Sequence, residues 1–159
     1  MSVQVRTALP ADLPALRRLF RRSSLSNEGD RELMIAHPEL VEPSEEAVAE
    51  GRTRVAMSGD GTILGFATGR RLESGVVELE DLFVDPDSMR LGIGRALVAD
   101  QVALAEAQGI AGIEVTANPH AAAFYRSVGF VHVGETETQF GPAARMAIRG
   151  QGVSAGGAR

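Results

Sequence analysis

The sequence contains no cysteine and no tryptophan, one tyrosine and three histidines, and aromatic residues make up only 4% of it. Without cysteine there are no disulfides, thiolate nucleophiles, zinc knuckles or iron–sulfur clusters. His37, His120 and His132 are too dispersed to form a metal-binding signature. Basic charge is scarce as well: 16 Lys+Arg stand against 21 Asp+Glu, a net charge of -5, whereas a nucleic-acid binder usually carries a basic excess. No apolar run is long enough to cross a bilayer, and Met1 to Arg6 lacks the apolar core of a signal segment. The expectation is a cytoplasmic protein with neither a nucleic-acid nor a membrane partner. What the chain does have is 159 residues that are 44% hydrophobic, enough for one core. Residues 1–150 read as a single domain and 151–159 as a small, polar, frayed tail.

Val3 to Ala8 alternates apolar and polar residues like a half-buried strand, and Pro10-Ala11-Asp12 opens a helix that carries Leu13, Leu16, Leu19 and Phe20 on one side. The arginines at 17, 18, 21 and 22 read as its solvated face. Asp30 to His37 and the stretch after Pro43-Ser44-Glu45-Glu46 read as two further helices. The period then changes. Thr53 to Met57, Thr62 to Arg70 and Val76 to Val84 are β-rich runs parted by Ser58-Gly59-Asp60-Gly61 and Glu73-Ser74-Gly75, which predicts a three-strand antiparallel meander. Ile93 to Gln108 has helical spacing until Gly109. Gly112 to Thr116 reads as a strand, Pro119 to Ser127 as a short helix, and Phe130 to Thr138 and Arg145 to Arg149 as closing strands, with Gln139 to Ala143 as the loop between them. A strand, a helix and a strand in succession need a crossover, so the third meander strand and the Gly112 to Thr116 strand are expected to be parallel.

The stretch richest in chemistry is Val84-Asp85-Pro86-Asp87-Ser88-Met89-Arg90-Leu91-Gly92-Ile93-Gly94-Arg95. Two glycines at a strand–helix junction let the backbone approach a ligand closely, and the first N–H groups of the helix have no partner inside it. Such a place attracts phosphate, with Arg90 and Arg95 able to add charge-assisted contacts. The plainer alternative is that Gly92 and Gly94 merely permit a tight turn. A dinucleotide fingerprint needs a third glycine where Leu97 stands, and a P-loop needs Gly-Lys-Ser/Thr; neither fits.

The chain resembles the GNAT superfamily of acetyl-CoA-dependent N-acetyltransferases. Leu82-Phe83-Val84-Asp85-Pro86 followed by Met89-Arg90-Leu91-Gly92-Ile93-Gly94 is similar to that family's first motif, with Met89 where Gln or Arg is usual. Asn118, Ala121, Phe124 and Tyr125 followed by Gly129-Phe130 is similar to its second. The resemblance implies an α/β fold: a mixed, mostly antiparallel sheet of six to seven strands with helices on both faces. It implies acetyl-CoA as co-substrate and no metal. The pyrophosphate would lie on the N–H groups of Met89, Arg90, Leu91, Gly92, Ile93, Gly94 and Arg95, and the pantetheine arm would run along Leu82, Phe83 and Val84 like an added strand. A backbone N–H near the end of the third meander strand would face the developing oxyanion.

The resemblance also gives Asn118 and Phe124 to the coenzyme, although Asn118 reads equally well as a helix cap. Tyr125 takes the position of the general acid for the leaving thiolate, against a plain packing role beside Phe124. Glu80 and Glu78 rank as the base, ahead of Glu114, each with a solvated strand face as the plainer reading. The acceptor implied is a primary amine of a small molecule. A protein N-terminal or lysine acetyltransferase and a non-catalytic acyl-CoA sensor are the alternatives, and pairing as a homodimer is a feature of many relatives. Leu25 to Met34 and the Gln139 to Ala143 segment would form the acceptor walls, with His37, His120 and His132 structural or superficial.

Overall fold

The computed structural model describes residues 2–26, 28–40, 42–119, 121–138 and 141–149. His120, Gln139, Phe140 and the expected tail lie outside them. Seven strands hydrogen-bond in the order β1-β2-β3-β4-β5-β7-β6: β1 (Gln4–Thr7), β2 (Thr53–Met57), β3 (Ile63–Arg71), β4 (Val77–Val84), β5 (Gly112–Ala117), β6 (Val131–Thr138) and β7 (Gly141–Arg149). The helices are α1 (Leu13–Ser26), α2 (Glu28–Ala36), α3 (Glu45–Ala49), α4 (Ile93–Ala107) and α5 (Ala122–Ser127). The fold is the expected α/β class. As the crossover demands, β4 and β5 are parallel, with Val77 beside Ile113 and Glu78 beside Glu114.

The chain divides into two compact units, Met1–Thr68 with Asp81–Leu97, and Gly69–Glu80 with Val98–Arg159. In the first, the apolar stripe of α1 buries Leu16 and Leu19 against Ala8, Val48, Val55 and Phe66. Phe20 stacks on Phe83 with ring centroids 4.0 Å apart, and Phe66 meets Phe83 at 5.4 Å, so three rings fasten α1 to β3 and to the end of β4. Asp12 sets the entry to α1: its carboxylate accepts the Leu9 N–H at 2.7 Å and both terminal nitrogens of Arg6. Ser44 caps α3, its hydroxyl accepting the Ala47 N–H at 3.0 Å.

The second unit buries Ile113, Val115, Met146, Ala147, Tyr125 and Phe130. Two boundaries differ from expectation. Gly141 to Ala143 belong to β7 rather than to a loop, paired with Thr138, Glu137 and Thr136. Pro142 is tolerated there because the ladder of β7 with β5 begins only at Ala144, so its missing N–H deprives no partner on that side. Helix α5 starts at Ala122, with Ala121 as its N-cap, three residues later than Pro119.

Candidate functional site

The strand–helix junction is built by short-range hydrogen bonds. The Asp85 N–H donates to Leu64 O (2.8 Å), the Ser88 N–H to Asp85 O (2.9 Å), and the Asp87 N–H to the Asp85 carboxylate (2.9 Å). The next such bond runs from the Ala96 N–H to Gly92 O (2.9 Å) and opens α4. Between them lie Arg90, at φ 69°, and Gly92, at φ 81°. Arg90 is the sole non-glycine residue with positive φ among the described residues, a conformation that costs on the order of 1–2 kcal/mol. Alternating left-handed residues turn successive N–H groups to one side and make a concavity for an anion. A Cβ built on Gly92 would meet nothing within 4 Å, so space stands open where a ligand would sit. Met89 and Leu91 extend their side chains into solvent, 59% and 51% exposed.

Gly65 holds this junction in place from below. A Cβ there would lie 2.9 Å from Phe83 O and 2.8 Å from a methyl of Ile93, so the missing side chain is what lets the α4 N-terminus and the end of β4 approach β3. The ladder of β4 with β5 is registered at Val77 and Glu78; Leu82, Phe83 and Val84 lie past it. Arg22 of α1 spans the strand–helix turn, 3.0 Å from the Asp85 carboxylate and 2.7 Å from that of Asp87. The junction suits a phosphorylated ligand such as coenzyme A, with room beside Gly92 and with Arg90 and Arg95 close by in sequence. Exposed apolar side chains of Leu25 and Ile35 lie on α1 and α2.

In the second unit, Glu78 and Glu114 sit side by side on parallel strands, an arrangement that would repel. Arg145 resolves it. Its two terminal nitrogens grip both oxygens of Glu78 at 2.9 and 3.0 Å, and they also reach Glu114 at 2.6 Å and the Thr116 hydroxyl at 2.7 Å. The Glu78 hydrogen bonds hold the Arg145 guanidinium above its ordinary pKa despite partial burial. Glu80 takes the Arg70 guanidinium at 2.7 Å in a more exposed place. Removing the clamp by Arg145→Met leaves two adjacent carboxylates with no cation, and is expected to cost about 1–3 kcal/mol of unfolding free energy. Denaturant unfolding of both proteins at neutral pH measures this; equal stability of the two would contradict it.

Tyr125 is 8% exposed, its ring edge-on to Phe124 and Phe130 with centroids 5.3 Å away in each case. The Asn118 side-chain oxygen accepts the Ala121 N–H at 2.9 Å and closes the turn before α5. The packing of Tyr125 beside Phe124 is thus realised, whereas the N-cap of α5 is Ala121 and Asn118 closes the turn before it rather than capping the helix. His37 and His132 are exposed beside Glu39 and Glu135. Among the described residues no group of three or more His, Asp or Glu side chains is placed to hold a metal ion, and no helix is long and apolar enough to cross a membrane.

Two features escaped the sequence. The carboxylate partners of Arg145 are 31 and 67 residues away, and those of Arg22 are 63 and 65 away, separations no local pattern encodes. The left-handed turn at Arg90 carries no compositional mark. The arginine face of α1 is exposed as expected, and Arg17 and Arg21 both pair with Glu42 there.

Residues 24–148 match the sequence model of the family described as "Acetyltransferase (GNAT) domain". No curated protein sequence matches this chain. Several solved structures share its fold. The PaiA N-acetyltransferase from Thermoplasma acidophilum, in complex with coenzyme A, aligns at a TM-score of 0.76 with 20% identity, covering 94% of this chain and 99% of that one. The ribosomal-protein-S18-alanine N-acetyltransferase from Escherichia coli aligns at 0.67 with 23% identity, over 93% and 94% of the two chains. A phosphinothricin acetyltransferase from Sinorhizobium meliloti, in complex with AcCoA, aligns at 0.70 with 20% identity, over 97% and 93%.

Proposed function

This chain belongs to the GNAT acetyltransferases, and from that premise we propose that it moves the acetyl group of acetyl-CoA to a primary amine of a small molecule, by direct attack in a ternary complex in the cytoplasm. Residues 1–150 serve as its single catalytic domain. The observation that carries the reading is the open, left-handed junction at Arg90 and Gly92. The amides from Met89 to Arg95 bind the coenzyme's pyrophosphate, with Arg90 and Arg95 adding charge. The backbone of Leu82 to Val84 holds the pantetheine arm, and Asn118 and Phe124 complete the coenzyme contacts. Acetyl-CoA supplies an activated thioester with a thiol leaving group.

On the protein side, Tyr125 donates a proton to the departing sulfur. Glu80 accepts the proton of the amine, through water where needed. Of the three glutamates it alone lies outside the Arg145 clamp, which makes it better able than Glu78 or Glu114 to respond to a substrate. Together Glu78, Glu80 and Glu114 exceed Arg70 and Arg145 by one negative charge, which favours a cationic acceptor.

A peptide N-terminus is the second acceptor to weigh, favoured by the fold shared with the ribosomal-protein-S18-alanine enzyme. A panel of small amines and of peptides, each assayed with acetyl-CoA for thiol release, decides between them. Turnover at least about tenfold faster with small cationic amines is expected. A preference for peptides reverses the assignment, and coenzyme binding with no thiol release from any acceptor makes the chain an acyl-CoA sensor.

A further inference from the structure

We propose that Arg22 is a positioning residue for the coenzyme. By pairing with Asp85 and Asp87 at once, it offsets one of their two negative charges on the approach to the Met89–Gly94 amides and pins the turn that aims them. The inference rests on the placement of acetyl-CoA at those amides.

The turn that delivers the chain to the phosphate-binding amides is acidic on both sides of Pro86. Asp87 stands two residues before Met89 and five before Gly92, at most about 7 Å and 18 Å away along the backbone. Coenzyme A is a polyanion, so uncancelled carboxylates at that range oppose its binding. At low ionic strength the screening length exceeds that range, being roughly 30 Å at 0.01 M. The Asp85 carboxylate cannot simply be dispensed with, because it accepts the Asp87 N–H and shapes the turn. It is also largely enclosed, with 14% of its side chain exposed, whereas Asp87 is 86% exposed. A single guanidinium with a planar fork can serve both carboxylates from α1. The Phe20–Phe83 stack, two residues earlier on the same helix, fixes α1 against β4, so the Arg22 cation is delivered by a rigid element. Arg22 touches neither the amides nor the reacting atoms; it acts through the two aspartates.

The test is calorimetric titration of the full-length protein with coenzyme A at 0.01 M and 0.5 M salt, for the parent, Arg22→Gln, Arg22→Lys and the double variant Arg22→Gln/Asp87→Asn, with Gly92→Val as reference. Arg22→Gln is expected to weaken binding about fivefold to tenfold at low salt and less than twofold at high salt, and Arg22→Lys to fall between it and the parent. Removing the Asp87 charge should return the double variant to within about twofold of the parent. A salt-independent loss that Asp87→Asn does not repair would reduce Arg22 to a strut and overturn the proposal. Unchanged affinity in Arg22→Gln alongside a large loss in Gly92→Val overturns it too, while leaving the coenzyme placement standing. If Gly92→Val also binds normally, the placement itself fails and the proposal falls with it.

Discussion

Replacing Gly92 with valine is expected to weaken coenzyme A binding by about a hundredfold or more while the protein stays folded. Two effects act together. The position sits at φ 81°, where a β-branched residue is a steric outlier, so the turn must open or store the strain. The new side chain also projects into the space that a ligand would need, since nothing of the protein lies within 4 Å of that Cβ. Losing even two amide bonds to a charged group, at about 1.5–3 kcal/mol each, amounts to about 3 kcal/mol or more, which converts to roughly two decades of affinity. Stability should fall far less, because the side chain enters solvent rather than the core. Calorimetric titration with coenzyme A, alongside thermal unfolding, separates the two quantities. Affinity equal to that of the parent protein would remove the coenzyme from this junction.

For Tyr125→Phe the expected result is the reverse pattern: turnover at saturating acetyl-CoA lower by roughly 10²-fold or more, with coenzyme affinity within about twofold of the parent. The substitution deletes one hydroxyl and keeps the ring, so the edge-on contacts with Phe124 and Phe130 survive and the fold has no reason to change. A positioned proton donor is worth on the order of 10²–10⁴ in rate, and without it the sulfur must leave as the bare thiolate. Single-turnover thiol release measured beside equilibrium binding makes the distinction. Undiminished turnover would leave Tyr125 with nothing but its packing role between the two phenylalanines.

The two substitutions also differ in how far the sequence alone could justify them. Gly92 stands out by composition and place, a glycine between a β-rich run and a helical period, and the observed φ agrees. Tyr125 stands out only through the resemblance of its motif; its burial and ring geometry are as compatible with packing as with proton transfer. The glutamates show where local reading ends. Alternation along β4 places Glu78 and Glu80 on one face, but nothing near either residue reveals that Arg145, far away in the chain, clamps the first and that Arg70 takes the second.

The helical period of α1 and α4, the turn signals between β2, β3 and β4, and the parallel crossover from β4 to β5 were all legible, because each rests on short-range sterics and on which faces must be buried. The boundary errors have the same origin. Pro142 reads locally as a strand breaker, yet it is accommodated in β7, where the ladder with β5 has not begun. The late start of α5 likewise reflects the turn that Asn118 closes.

By itself the amino-acid order determined the class of fold, the sites of its turns, the glycine-bearing junction and the exclusion of thiol chemistry, since these follow from residue type and from spacings of a few residues. Tertiary structure alone decided which carboxylates Arg145 holds, that Arg90 adopts a left-handed conformation, and that an α1 arginine straddles two aspartates of the turn before the glycine-bearing junction. The Arg145 and Arg22 pairs with carboxylates join residues 31 to 67 positions apart in the chain, and electrostatic pairing over such separations is set by the packing of the elements, which no local pattern records.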